Sequence, residues 1–255
     1  MEYLDSCIRE IEAYIWALAS SGRQVREWKP NARSVPGPMN HESNQLVLAR
    51  DTAVELGRSN VGSCFGVLWT SSSELVEDGR IRLVGPDLGE LIGQSVAFCQ
   101  VLILQGQDIP VTDNSFLIAS SSMTDGLPGV MSRISRSGIW CRISYASIDL
   151  GLCFAALGRK ELDNWRSRIP AIERAEVLFL TSGADDLVPL QGISALAEGV
   201  IRSQQIEKGR QRGYDLTCSL ASCAGCEHIS ACAAITKSVE RENMKPAKRE
   251  EGTGR

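Results

Sequence analysis

Between Val96 and Leu104 the chain reads Val-Ala-Phe-Cys-Gln-Val-Leu-Ile-Leu, with Gln100 the one polar residue. A run of this length is too short for a membrane-spanning helix and too unbroken to keep a wet face. It therefore predicts a strand covered on both sides, near the centre of a sheet. Both faces of such a strand need cover, so the expected fold is α/β (mixed α+β), a central sheet with flanking helices.

The rest of the chain supplies those elements. Leu4, Ile8, Ile11, Ile15 and Leu18 recur at helical spacing, with Asp5, Arg9, Glu10 and Glu12 between them, so residues 3–20 predict an N-terminal amphipathic helix. Trp28 to Asn44 holds three prolines, Gly37 and several polar residues, a loop or linker composition. Strand-like runs follow at Cys64–Thr70, Arg80–Val84 and Val96–Gln105, with Gly79 after Glu77-Asp78 marking a turn and Gly85-Pro86-Asp87 closing the second run. After a Ser/Gly-rich stretch from Ser120 to Gly129, Ile139–Ser144 predicts another strand. Helical spacing then runs over 146–166, with Ser147 as its candidate N-cap. Ala175–Thr181 is a further apolar strand, and 190–210 a second helix. Strand, helix, strand, helix in that order makes an α/β unit. The expected organisation is an N-terminal helix (1–27), a linker (28–45), an α/β domain (46–212), a cysteine-rich segment (213–235) and a charged tail (236–255) whose composition predicts disorder.

Four of the nine cysteines, Cys218, Cys223, Cys226 and Cys232, fall in a C-x4-C-x2-C-x5-C pattern. Thiolates this close in sequence can converge on one metal centre, and Gly225 lets the backbone turn between the middle pair. Structural zinc sites usually pair two short knuckles across a longer loop, and here Cys223 and Cys226 make a single C-x2-C knuckle. Flanking thiolates on both sides suit a 4Fe–4S cubane, which is favoured over zinc as the alternative. The neighbours Ser219, Ser222, Glu227, His228 and Ser230 are polar, unlike a core strand. Cys7, Cys64, Cys99, Cys141 and Cys153 sit among apolar residues and read as core.

Other classes are disfavoured. A net charge of −4 gives no global attraction for nucleic acid. No run of eighteen apolar residues predicts a membrane span, and the acidic opening Met1-Glu2-Tyr3-Leu4-Asp5 is unlike a secretory signal, so a cytoplasmic location is expected. There is no G-x-x-x-x-G-K-S/T loop and no G-x-G-x-x-G fingerprint. Of the two histidines, His41 lies in a polar loop and reads as surface or capping, and His228 as solvated.

The segment Val76-Glu77-Asp78-Gly79-Arg80-Ile81-Arg82-Leu83-Val84-Gly85-Pro86-Asp87-Leu88 resembles the β subunit of the carbon monoxide dehydrogenase/acetyl-CoA synthase complex. Ile139-Trp140-Cys141-Arg142-Ile143-Ser144, Ala175–Thr181 and the segment from Gly213-Tyr214 to Cys232 are similar to later stretches of that family, in the same order. The resemblance covers roughly residues 46–235 and implies a middle-domain-like relative. In the family the cysteine segment holds a cubane bridged to two nickel ions, where acetyl-CoA is formed. Cys218 and Cys232 match two of those ligands, Cys223 and Cys226 have no clear counterparts, and the downstream C-G-C segment is not in the sequence. The resemblance thus implies an iron–sulfur protein that is not catalytic alone, an electron-transfer or accessory subunit in anaerobic one-carbon and acetyl-CoA metabolism. Its implied partners are a ferredoxin, a corrinoid protein or a carbon monoxide dehydrogenase-type subunit. Two alternatives stand beside it: a subunit of an active synthase with nickel ligands from a partner chain, and a zinc-stabilised interaction module. The resemblance also implies coenzyme A binding at Trp140 and Arg142, with Arg133 and Arg136 just before them.

Overall fold

The computed structural model describes residues 2–29, 49–120, 123–127, 129–135, 138–145 and 150–211. In chain order the elements are α1 (Glu2–Ser20), β1 (Gln24–Trp28), β2 (Thr52–Leu56), β3 (Ser63–Thr70), β4 (Ile81–Gly85) and β5 (Ser95–Gln105). They continue with α2 (Asn114–Ala119), β6 (Met123–Leu127), β7 (Val130–Ser135), β8 (Gly138–Ser144), α3 (Leu150–Arg168), β9 (Arg174–Ser182) and α4 (Ala184–Gln211). The strands join in one mixed sheet, ordered β1-β4-β9-β5-β2-β8-β7-β6, with β3 also paired to β5. The central sheet and flanking helices are those the apolar run predicts. Residues Met1–Gln205 form one compact unit; Ile206–Arg255 form a second, of which the last residues of α4 are described.

Strand β5 is the axis. Every side chain from Val96 to Gln105 is buried, and the strand is paired on both edges, antiparallel to β9 along one and parallel to β2 and β3 along the other. Helix α3 covers one face: Phe154 packs against Phe98 and Phe179, and Gly158 lies against Ile81 and Val177. Helices α1 and α4 cover the other. Asp5 of α1 accepts from Thr70 at 2.6 Å, Ser194 of α4 lies 3.4 Å from the Cys64 sulfur, and the Tyr14 hydroxyl donates to the Asp186 carbonyl at 2.8 Å. The predicted stripe of α1 is its buried face: Leu4, Ile8, Ile11, Ile15 and Leu18 are each 7 % exposed or less.

Some elements differ from the sequence expectation. Helix α4 begins at Ala184, ahead of Leu190, and carries Pro189 inside it, a residue that ordinarily argues against helix. Strands β1, β2, β6 and β7 have no apolar run long enough to signal them; Trp28 closes β1, and β6 lies within the Ser/Gly-rich stretch. They become strands because a ladder neighbour satisfies their backbone groups, which is a property of the partner. Cys7, Cys64, Cys99 and Cys141 are buried and Cys153 half-buried, with no disulfide among them.

Strands β2 and β3 follow the same edge of β5, interrupted by an excursion. Leu56 pairs with Val96 and Ser63 with Phe98, so residues 57–62 bulge out of the ladder between them. Gly57 begins the bulge at φ +70°, where a Cβ would stand 2.0 Å from the Ile139 carbonyl oxygen. Ser63 ends it by donating to that oxygen at 2.6 Å and accepting from the Ile139 amide at 2.7 Å. The excursion is therefore pinned beside Trp140, the next residue of β8.

Candidate functional site

Alternation along β8 separates two faces. Ile139, Cys141 and Ile143 point inward and are buried, whereas Trp140 and Arg142 are half-buried on the outer face. Antiparallel pairing sets Glu55 of β2 opposite Arg142, and Arg133 of β7 opposite Trp140. The excursion after β2 brings Arg58 to the same place.

Glu55 organises this face. Its Oε1 accepts from the Trp140 indole nitrogen at 3.0 Å and from Arg142 Nε at 3.1 Å, with Arg142 Nη2 at 3.0 Å. Its Oε2 meets Arg58 Nε at 3.0 Å. The Arg142 guanidinium carbon lies 5.1 Å from the centroid of the Trp140 ring, a cation–π contact that fixes both planes. Burial acts to raise the Glu55 pKa, but hydrogen bonds from Trp140 and Arg142 and the charges of Arg142 and Arg58 outweigh it. The carboxyl is held below its ordinary range and stays ionised. Two guanidiniums and an indole thus surround one carboxylate, and exposed Arg133, opposite Trp140 on β7, has no ion-pair partner among the described residues. Chemically this is a cationic face with an aromatic plane, suited to a ligand with phosphates and a flat ring.

Of the residues the sequence singles out here, Trp140, Arg142 and Arg133 share this face; Arg136 lies outside the described residues. Glu55 and Arg58 were missed. Their one signal is a lone carboxylate in the short run Thr-Ala-Val-Glu-Leu with an arginine three positions on, which reads locally as solvated charge.

The segment 76–88, which carries the strongest family resemblance, does structural work. Gly79, at φ +72°, donates its amide to the Ala175 carbonyl at 2.8 Å, and Asp78 accepts from the Ala175 amide at 3.1 Å and pairs with Arg166. Behind that turn, Glu176 of β9 takes Arg80 Nε and Nη2 at 2.9 Å each, Arg82 Nη2 at 3.1 Å and the Glu77 amide at 2.9 Å. Glu12 of α1 closes the network, accepting from Arg82 Nη1 at 2.8 Å and Arg80 Nη2 at 3.2 Å. The side chains of Glu176 and Arg82 are 2 % and 5 % exposed, so this is an interior ion cluster binding helix to sheet. A cavity of about 530 Å³ opens beside it, lined in part by Arg9, Glu12, Arg80 and Arg174. A second, of about 420 Å³, lies along β3, lined by Phe65, Val67, Phe116, Ser194 and Arg202 among others. The Trp140 face borders neither.

Cys218, Cys223, Cys226 and Cys232, and both histidines, lie outside the described residues. Among the described residues no group of three or more His, Cys, Asp or Glu side chains is placed to hold a metal ion. No helix among them is long and apolar enough to cross a membrane.

Comparison with known proteins agrees with the resemblance over this domain. The sequence model of the CO dehydrogenase/acetyl-CoA synthase complex beta subunit family matches residues 37–185, more than half of the chain, spanning all of β2 to β9 with α2 and α3 between them and ending at the start of α4. The beta subunit of the acetyl-CoA decarbonylase/synthase complex from Archaeoglobus fulgidus is 27% identical over 135 residues, covering 51% of this chain and 25% of that protein. Its counterpart from Methanothermobacter thermautotrophicus is 28% identical over 111 residues, covering 43% of this chain and 24% of that one. The match thus spans about a quarter of the length of these relatives.

Proposed function

The chain belongs to the CO dehydrogenase/acetyl-CoA synthase complex beta subunit family, and on that premise we propose that it is an iron–sulfur accessory or electron-transfer subunit of anaerobic one-carbon and acetyl-CoA metabolism. The observation that carries this reading is that four closely spaced cysteines, Cys218, Cys223, Cys226 and Cys232, follow a domain of this family beyond helix α4. Four thiolates close a cubane's coordination, which suits electron transfer or structural support, because bond-making at a metal requires an open position. A carbon monoxide dehydrogenase-type subunit, a ferredoxin or a corrinoid protein is the partner class this role calls for.

Metal and sulfide analysis after anaerobic purification tests it. The expected result is about four iron and four sulfide per chain, with an electron paramagnetic resonance signal that changes in Cys226→Ser. One zinc without iron favours the zinc-stabilised interaction module, and nickel beside iron favours a subunit of an active synthase whose nickel ligands a partner completes. An identical cubane signal in Cys226→Ser would refute the ligand assignment.

A second reading concerns coenzyme A. It is supported by the Trp140 face, where Arg142, Arg58 and Arg133 offer donors to phosphates beside an indole plane. Coenzyme A titration should quench the tryptophan emission saturably in the wild type and much less in Trp140→Phe. Equal quenching in both removes this reading.

A further inference from the structure

The carboxylate of Glu55 sits where an anionic ligand would compete for donors. It engages one edge of the Arg142 guanidinium and the Nε of Arg58, leaving most of the N–H groups on both without another partner among the described residues. Its side chain is 12 % exposed, and the indole nitrogen of Trp140 holds it in place. An incoming anion therefore meets an arginine pair that is oriented but already partly neutralised, beside Arg133, which has no ion-pair partner among the described residues.

We propose that Glu55 is an internal counter-anion that sets a charge threshold on this face, so that phosphate-rich esters bind and singly charged anions do not. The inference rests on reading the Trp140 face as an anion-docking surface. A pyrophosphate group brings enough negative charge to share the free edges of Arg58 and Arg142 against the repulsion of Glu55. A lone carboxylate offers no more than Glu55 already supplies. Glu55 is thus a specificity-determining residue acting on its two arginines.

Glu55→Gln tests this, because glutamine keeps the volume and an oxygen acceptor for Trp140 while removing the charge. Inorganic pyrophosphate is titrated calorimetrically into the wild type, Glu55→Gln and Arg133→Gln at fixed ionic strength, with acetate as a competitor. Glu55→Gln should bind pyrophosphate about tenfold tighter and become sensitive to acetate. Arg133→Gln, which alters an exposed side chain and leaves the core untouched, should bind it several-fold more weakly. Equal or weaker pyrophosphate binding by Glu55→Gln overturns the proposal, as does unchanged binding by Arg133→Gln or no binding by the wild type. Pyrophosphate that behaves as expected but is not displaced by coenzyme A removes the coenzyme A reading alone. Coenzyme A binding that is indifferent to Glu55→Gln removes the charge threshold alone.

Discussion

Replacing Glu176 by glutamine isolates what the interior ion cluster contributes. The carboxylate accepts three guanidinium hydrogen bonds and the Glu77 amide at 2.9–3.1 Å, with its side chain 2 % exposed. The amide retains one acceptor oxygen but turns an N–H toward Arg80 or Arg82 and removes the charge that balanced them. Arg82, 5 % exposed, then has Glu12 as its remaining carboxylate, and Glu12 lies near the surface at 39 % exposed. Breaking a buried pair by removing one partner costs about 3–5 kcal/mol, since the surviving charge stays desolvated. The lower figure suits a cluster with a second carboxylate. At roughly 2–4 °C per kcal/mol for a domain of this size, the thermal midpoint should fall by about 6–12 °C. Circular dichroism melts of wild type and Glu176→Gln measure it, with Arg23→Ala as a control because the Arg23 side chain, paired with Asp186, is 44 % exposed. That control should cost under about 1 kcal/mol. A Glu176→Gln protein within 1 kcal/mol of wild type would mean that the cluster is not what fastens α1 and the 76–82 turn to β9. Pyrophosphate affinity of the folded variant should be unchanged, because Glu176 makes no contact with the Trp140 face.

Acid should loosen the same region. Burial acts to raise the Glu12 pKa, yet hydrogen bonds and charge from Arg82 and Arg80 outweigh it and hold the carboxyl below its ordinary range. A depressed folded-state pKa contributes stability above the unfolded value, near 4.3, and loses it as pH falls through the folded value. Urea melts between pH 7 and pH 3 should therefore show a loss below about pH 4.5 that Glu12→Gln flattens. Gly57→Ala forces a Cβ against the Ile139 carbonyl at a positive φ, and should cost about 2 kcal/mol or more in the same melts. A near-neutral result would show that the excursion beside Trp140 is free to shift. Burial pushes the Cys99 and Cys141 thiols up from their ordinary range, so brief iodoacetamide treatment at pH 8 of the folded protein should leave both unmodified in peptide mass spectra. Full labelling of either would contradict its placement in the core.

How far the sequence reached depended on how local the signal was. The stripe of α1 and the runs of β3, β4, β5, β8 and β9 are legible because burial of one or both faces writes a period into neighbouring residues. β2 is short and half-wet and pairs with β8 far along the chain, whereas β6 and β7 pair with their neighbours in sequence but are short, and β6 sits in a polar stretch. The site divides the same way. Trp140 and Arg142 were singled out by the family resemblance, whereas Glu55 and Arg58 joined them only through the β2–β8 ladder and a glycine bulge.

By itself, then, the amino-acid order determined the family, the buried central strand and its helical cover, since these depend on composition and spacing along the chain. Tertiary structure alone decided that the arginines of the 76–88 segment are interior struts for Glu176 and Glu12, and that Glu55 lies among the arginines of the Trp140 face. The physical reason is that a charge acquires its role from the dielectric and the partners around it, and the deciding partners come from elements 68 to 96 residues away.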